Sequence, residues 1–66
     1  MSTERKDMHQ LYELYERSNG QKAIDFVDLF ACQRLERLGY VTISQHSVTI
    51  TAAGRAAWEA YRKRGF

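Results

Sequence analysis

The stretch RLERLGYVTISQHSVTIT, Arg34 to Thr51, decides the fold. It begins as the end of a helix, breaks at Gly39 and then alternates. Val41 and Ile43 alternate with Thr42 and Ser44, and Val48 and Ile50 alternate with Thr49 and Thr51. Period-two alternation of β-branched residues marks a half-buried strand, because successive side chains point to opposite faces. Two such runs on either side of Gln45, His46 and Ser47 predict a hairpin with a turn of three to four residues. The corner lacks the Asn-Gly or Asp-Gly of the tightest hairpins. His46 tolerates positive φ better than most residues, which keeps the turn feasible.

Helices flank this hairpin. Upstream, Ala31, Leu35 and Leu38 recur at helical spacing and are expected to face inward, with Cys32 at one edge. Gln33, Glu36 and Arg37 are expected to face outward. Downstream, Thr51 is expected to cap a helix over AAGRAAWEAYRKRG. Ala53, Ala57, Ala60 and Tyr61 share one predicted face, with Trp58 beside it. Gly54 in the first turn costs about 1 kcal/mol against alanine, a cost that makes sense where a neighbouring backbone comes close. Arg62, Lys63 and Arg64 suit the negative end of the helix, and RKRGF reads as a fraying terminus.

The first helix is predicted from Thr3 to Arg17. Ser2 or Thr3 can cap it and Glu4 suits its positive end. Met8, Leu11, Tyr12, Leu14 and Tyr15 form its apolar stripe, and Glu13 and Arg17 sit four apart in the favourable order. SNG supplies the stop, with Gly20 free to adopt a left-handed conformation. The segment between Gly20 and Leu38 is apolar nearly all round in its first half: Ile24, Phe26, Val27, Leu29 and Phe30. We read it as a short extended lead-in followed by one helix to Leu38, begun with help from Asp25 and Asp28. Phe26, Leu29 and Phe30 then lie on or beside the outward face, and are candidates for contact with another protein.

The 66 residues allow one domain, residues 1–66, of α+β class. A chain this short buries only about 60% of its unfolded surface, so a partner subunit would add stability. Cys32 is the only cysteine, which excludes an internal disulfide, and His9 and His46 are too isolated to make a metal site. No apolar run reaches the roughly 18 residues of a membrane span, and MSTERKDMHQ lacks the apolar core of a signal peptide. A cytoplasmic protein without cofactor or metal is expected. Residues 1–32 carry four basic and six acidic side chains, and residues 33–66 carry six and two. The net charge of +2 therefore splits into −2 and +4, with the positive half containing the hairpin.

Residues 35–61, LERLGYVTISQHSVTITAAGRAAWEAY, resemble the second half of a winged helix-turn-helix domain of the kind found in bacterial multiple-antibiotic-resistance-type regulators. There a helix ending in a Leu-Gly pattern, here Leu35–Val41, leads into a β-hairpin. A helix opening with a Gly-Arg pair, here Gly54 and Arg55, follows. The resemblance implies a winged-helix-like domain of three helices with a two-stranded wing before the last. It implies that the helix ending at Leu38 enters the major groove of DNA while the wing touches backbone or minor groove. The implied contacts are Gln33, Arg34 and Arg37 on the helix, Gln45, His46 and Ser47 on the wing, and Arg55 on phosphate. Arginine and glutamine are suited to such a role, since they pair bidentately with guanine and adenine edges. The first half is abbreviated relative to a full domain, Asp25 and Asp28 sit where phosphates would approach, and the wing carries no lysine or arginine.

The remaining side chains have plain readings. Cys32 is expected to be a small semi-buried hydrophobe, His46 a turn residue, and His9 a solvated helix residue beside Glu13. Tyr12, Tyr15, Trp58 and Tyr61 are expected in the core or an interface. No catalytic constellation or phosphate-binding glycine loop stands out, so no enzymatic activity is expected. Two functions fit: a dimeric DNA-binding transcriptional regulator, or a protein-binding adaptor or inhibitor of the small phage or plasmid type.

Overall fold

The computed structural model describes residues 5–64. Helix α1 (Arg5–Tyr12) continues as a π-helical turn over Glu13–Arg17. Strand β1 (Gln21–Ala23) and a single 3-10 turn (Ile24–Phe26) lead to α2 (Leu29–Arg37), then β2 (Val41–Ile43), β3 (Ser47–Ile50) and α3 (Ala52–Lys63). The result is a small α+β domain with three helices and a three-stranded antiparallel sheet of order β1-β3-β2.

The hairpin forms in the register that the alternation requires. Val41 pairs with Ile50, Thr42 with Thr49 and Ile43 with Val48. Val41, Val48 and Ile50 are thereby delivered to one buried face, while Thr42 and Thr49 stay in water. The corner closes without a glycine because no residue in it, His46 included, takes a positive φ, and Ser44 ties it together. Its backbone N–H donates to the Ser47 carbonyl (2.8 Å), and its hydroxyl accepts from the Ser47 N–H (3.0 Å).

The sheet has one strand more than expected. The extended lead-in pairs with β3 through Gln21↔Thr49, Lys22↔Val48 and Ala23↔Ser47. This gives β3 a partner on its second side and leaves β1 and β2, of three residues each, as the two edges of the sheet; edges so short offer little for another chain to pair with.

The core consists of Met8, Leu11 and Leu14 from the first helix, Cys32 and Leu35 from α2, the three hairpin residues, and Trp58. Tyr12, Tyr15 and Tyr61 pack partly buried against it. Cys32 is wholly buried rather than at an edge. Leu38, expected inside, is 49% exposed. The last regular α-helical residue is Arg37; Leu38 forms the cap, and Gly39 turns the chain at φ +81°. Gly20 likewise takes φ +91° after the first helix.

The inward face of α3 is Gly54, Ala57, Trp58 and Tyr61; Ala53 and Ala60 are exposed. Gly54 sets that rotation. A Cβ there would stand 2.1 Å from the Tyr40 carbonyl oxygen, so only glycine lets α3 lie against the turn before β2. Thr51 caps the helix, accepting from the Gly54 N–H (3.0 Å) and donating to the Gly39 carbonyl (2.6 Å). The Glu13–Arg17 pair does not form. The π turn widens the spiral and carries Arg17 off the Glu13 row, and Lys22 of β1 takes its place at 3.4 Å. The expected caps at Ser2, Thr3 and Glu4, and the end of RKRGF, lie outside the described residues.

Gly54→Ala is expected to destabilise the fold by about 2–3 kcal/mol through overpacking against backbone, lowering Tm by more than about 10 °C. Gly39→Ala meets nothing within 4 Å and carries only the left-handed backbone cost of about 1–2 kcal/mol. Thermal melts of the two variants that reversed this order would contradict the close approach of α3.

Candidate functional site

Helix α2 presents a face that its own fold does not cover. Asp28 caps the helix, its carboxylate accepting from the Ala31 N–H (3.3 Å). Ala31, Cys32 and Leu35 turn inward. At 100° per residue the opposite meridian carries Phe30, Gln33 and Arg37, with Leu29 and Glu36 on one flank and Arg34 on the other. Phe30 is 75% exposed, Leu29 42%, and Phe26 in the preceding 3-10 turn 73%. The apolar segment foreseen as outward-facing does stand in water.

Two polar clamps hold this orientation. The Arg34 guanidinium binds the Asp7 carboxylate through Nε (3.0 Å to Oδ2) and a terminal nitrogen (2.8 Å to Oδ1). The Asp7 side chain is almost wholly buried, while that of Arg34 is 47% exposed. Beside it, Gln10 Oε1 accepts from the Asp28 N–H (2.9 Å). Both clamps come from α1. The first is a bidentate ion pair to a buried carboxylate, the costly kind to break, and the second is a neutral hydrogen bond from a buried side chain.

The residues implied as DNA contacts are not brought together. Gln33 and Arg37 share the outer meridian and are exposed. Arg34 is committed to Asp7. Gln45 and His46 are exposed at the hairpin corner, and the His46 carbonyl accepts from the Ile24 N–H (2.8 Å), which anchors the corner beside the 3-10 turn. Ser47 is tied into the corner and accepts from the Gln21 side chain (3.1 Å). Arg55 stands at the far end of β3, close against Gly20, with its guanidinium 5.1 Å from the centre of the Tyr15 ring. It is the length of a strand away from the corner. Asp25, Asp28 and Glu36 are exposed on or near the α2 surface.

Elsewhere the polar chemistry is structural. Tyr15 donates to Glu59, and this hydrogen bond, with lesser help from desolvation, raises the phenol above its ordinary value. Trp58 Nε1 donates to Glu16 Oε2 (2.9 Å), which also accepts from Arg62 (2.6 Å). Burial, and then the Asp28 and Asp7 carboxylates, push the Cys32 thiol up to about 11. A thiol so held is protonated and unreactive. Among the described residues, no group of three His, Cys, Asp or Glu side chains is placed to hold a metal ion, and no helix is long and apolar enough to cross a membrane. Comparison with family models, with curated proteins and with solved structures found no match.

Asp7, Gln10 and Glu16 were not singled out from sequence. Asp7 left a signal: it falls in phase with Leu11 and Leu14 on the buried side of α1, where an acid needs a partner.

Arg34→Met is expected to cost about 2–3 kcal/mol, below the 3–5 of a fully buried pair because the guanidinium is half in water. Urea titration showing less than 0.5 kcal/mol, roughly the scale of a surface pair, would reduce the clamp to an ordinary surface contact. The Cys32 thiol has a second consequence. Its folded value is raised from 9.0, so the fold favours the protonated form. That contribution is complete below about pH 9 and is lost as pH rises through about 11. Denaturation curves from pH 8 to pH 11, roughly spanning those values, should fall more steeply for the wild type than for Cys32→Ala. Equal slopes would argue against a buried thiol.

Proposed function

We propose that this chain is a protein-binding module that docks a partner on the outer face of α2, using a winged-helix-like arrangement as its scaffold. One observation carries the reading: Phe26 in the 3-10 turn and Leu29 and Phe30 at the start of α2 all stand exposed, and the rotation of α2 is held by polar contacts to α1. Keeping such side chains exposed forgoes roughly 1.5–3 kcal/mol each. The whole stability of a 66-residue domain is about 3–10 kcal/mol. A patch maintained against that incentive, and framed by charged groups, has the composition of an interface centre. The reading fits a cytoplasmic setting, in which the free Cys32 stays reduced.

DNA binding is the second reading. It is favoured by Gln33 and Arg37 on the outer meridian of the helix before the hairpin, by the +4 balance of residues 33–66, and by the resemblance of residues 35–61 to winged-helix regulators. Charge weighs against it as the main activity. Tight duplex binding rests on about 6–10 phosphate contacts. Arg37 has Glu36 on the flank of its face and the exposed Asp25 and Asp28 ahead of the helix, and the corner of the hairpin holds no lysine or arginine.

A photo-crosslinking side chain at position 30, in cells producing the protein, should yield protein adducts, while the same group at position 53 on the exposed side of α3 should not. Adducts to DNA at position 30 would favour the second reading over the first. So would a steeply salt-dependent affinity for generic duplex that Arg37→Ala weakens by about 1–3 kcal/mol.

A further inference from the structure

We infer that the cleft between α1 and α3 binds a small ligand that joins a planar heteroaromatic ring to a phosphate, the chemistry of a mononucleotide. The site lies apart from the outer face of α2 and does not depend on what that face binds. A cleft of about 530 Å³ is lined by Arg5, His9 and Tyr12 of α1 and by Trp58 and Tyr61 of α3. Its rings run in a row: Tyr12 stands 5.7 Å from Trp58, and Trp58 5.8 Å from Tyr61, centre to centre. Trp58 is buried, with its indole N–H turned to Glu16, and forms the floor. Tyr12 and Tyr61 are half-buried and keep part of each ring for the cleft. The first helix widens into its π turn directly after Tyr12, a distortion frequent at functional sites.

Size and charge select the ligand. A cavity of about 150 Å³ already holds a benzene ring, so this cleft has room for a two-ring base with part of a sugar. Bases stack on aromatic side chains through their π faces. Arg5 and His9 stand exposed beside the rings, one turn apart on the same side of α1. Among the described residues Arg5 and Lys6 make no ion pair. The His9 ring is 3.6 Å from Glu13, which Lys22 also holds. Across Arg5 and His9 lies a second cleft, of about 340 Å³, lined also by Lys6, Gln10 and Asp28. Gln10 is 6% exposed. Its oxygen is engaged by the Asp28 N–H, and its amide nitrogen has no hydrogen-bond partner among the described residues. A buried donor left so is rare, and a phosphate seated on the Arg5–His9 ridge brings acceptor oxygens to that wall. Arg5, Lys6 and His9 together suit a group with nearly two negative charges and three acceptor oxygens better than a carboxylate with one charge and two oxygens. The Asp28 carboxylate, engaged with the Ala31 N–H, repels the phosphate towards Arg5 and away from α2.

The full chain titrated with each of the four ribonucleoside monophosphates tests this by NMR, read at the indole N–H of Trp58, the sole tryptophan. At least one nucleotide should give saturable shifts at Trp58, Tyr12 and Tyr61 and none at Phe30. The corresponding nucleoside, inorganic phosphate and phenylacetate should each bind at least tenfold more weakly. Arg5→Gln should weaken the nucleotide at least tenfold and leave the nucleoside unchanged, with circular dichroism unaltered because the side chain is exposed. No shift at Trp58 with any nucleotide at millimolar concentration would overturn the site. A nucleoside or phenylacetate that binds as tightly as the nucleotide would overturn the phosphate. A single-stranded oligonucleotide that binds more tightly with each added residue would overturn the small ligand in favour of a strand. Each of these outcomes leaves the adducts at position 30 as they are, so the protein-binding reading stands or falls separately.

Discussion

The Asp7–Arg34 clamp is the contact on which the exposed surface depends. Helix α2 is only nine residues long, and its inward face is two small residues and one leucine, Ala31, Cys32 and Leu35. So small a stripe leaves the rotation of the helix weakly determined by packing alone. The bidentate pair to a buried carboxylate adds a directional constraint, and Gln10 on the Asp28 N–H adds another. Together they hold Phe30, Gln33 and Arg37 outward. Were α2 to roll so that Phe30 entered the core, Asp7 would be left as an unpaired buried charge, which costs more than burying one aromatic ring returns.

The uncovered face follows from the shortness of the chain before α2. Between Gly20 and Asp28 there is room for one short strand and one 3-10 turn. The strand is committed to β3, and the 3-10 turn is anchored to the hairpin by the Ile24 N–H. Nothing is left to fold a helix across α2. Ile24 and Val27 can still tuck partly against the core, while Phe26 and Phe30 cannot. Exposure of the aromatic residues thus follows from topology together with the clamps on α2: the clamps hold Phe30 outward, and no described element is left to cover it.

Much of the frame was legible in residues whose local chemistry and tertiary role agree. The alternation in 41–50 forced the hairpin, Thr51 and Asp28 capped where their side chains allow, and Gly54 marked a close backbone approach. Legibility failed where a tertiary contact chose between local options. The pairing of β1 with β3 joins residues more than twenty apart, and Gln21–Ala23 is too short to show any alternation. The rotation of α3 is not legible from its spacing because five alanines and a glycine offer no strong stripe; the Tyr40 carbonyl decides it. Leu38 was placed inside by its spacing, but the helix ended one residue earlier. Arg34 looked like a contact for DNA because the acid that holds it lies 27 positions away.

The same constraint bears on the two functional readings. A reading helix in a DNA groove needs its cations mobile enough to find phosphates and base edges. Here one of the two arginines of α2 is committed to the α1 carboxylate, and Arg55 lies over an aromatic ring at the opposite end of β3. Releasing Arg34 for DNA would strand Asp7 in the core, so the cation that looks available on the surface belongs to the fold. The apolar residues carry no such obligation. Phe26 and Phe30 support nothing within the chain, and desolvating them against a partner gains free energy without loosening any internal contact. Of the two kinds of surface that meet on α2, the apolar one is therefore the one the domain is free to use.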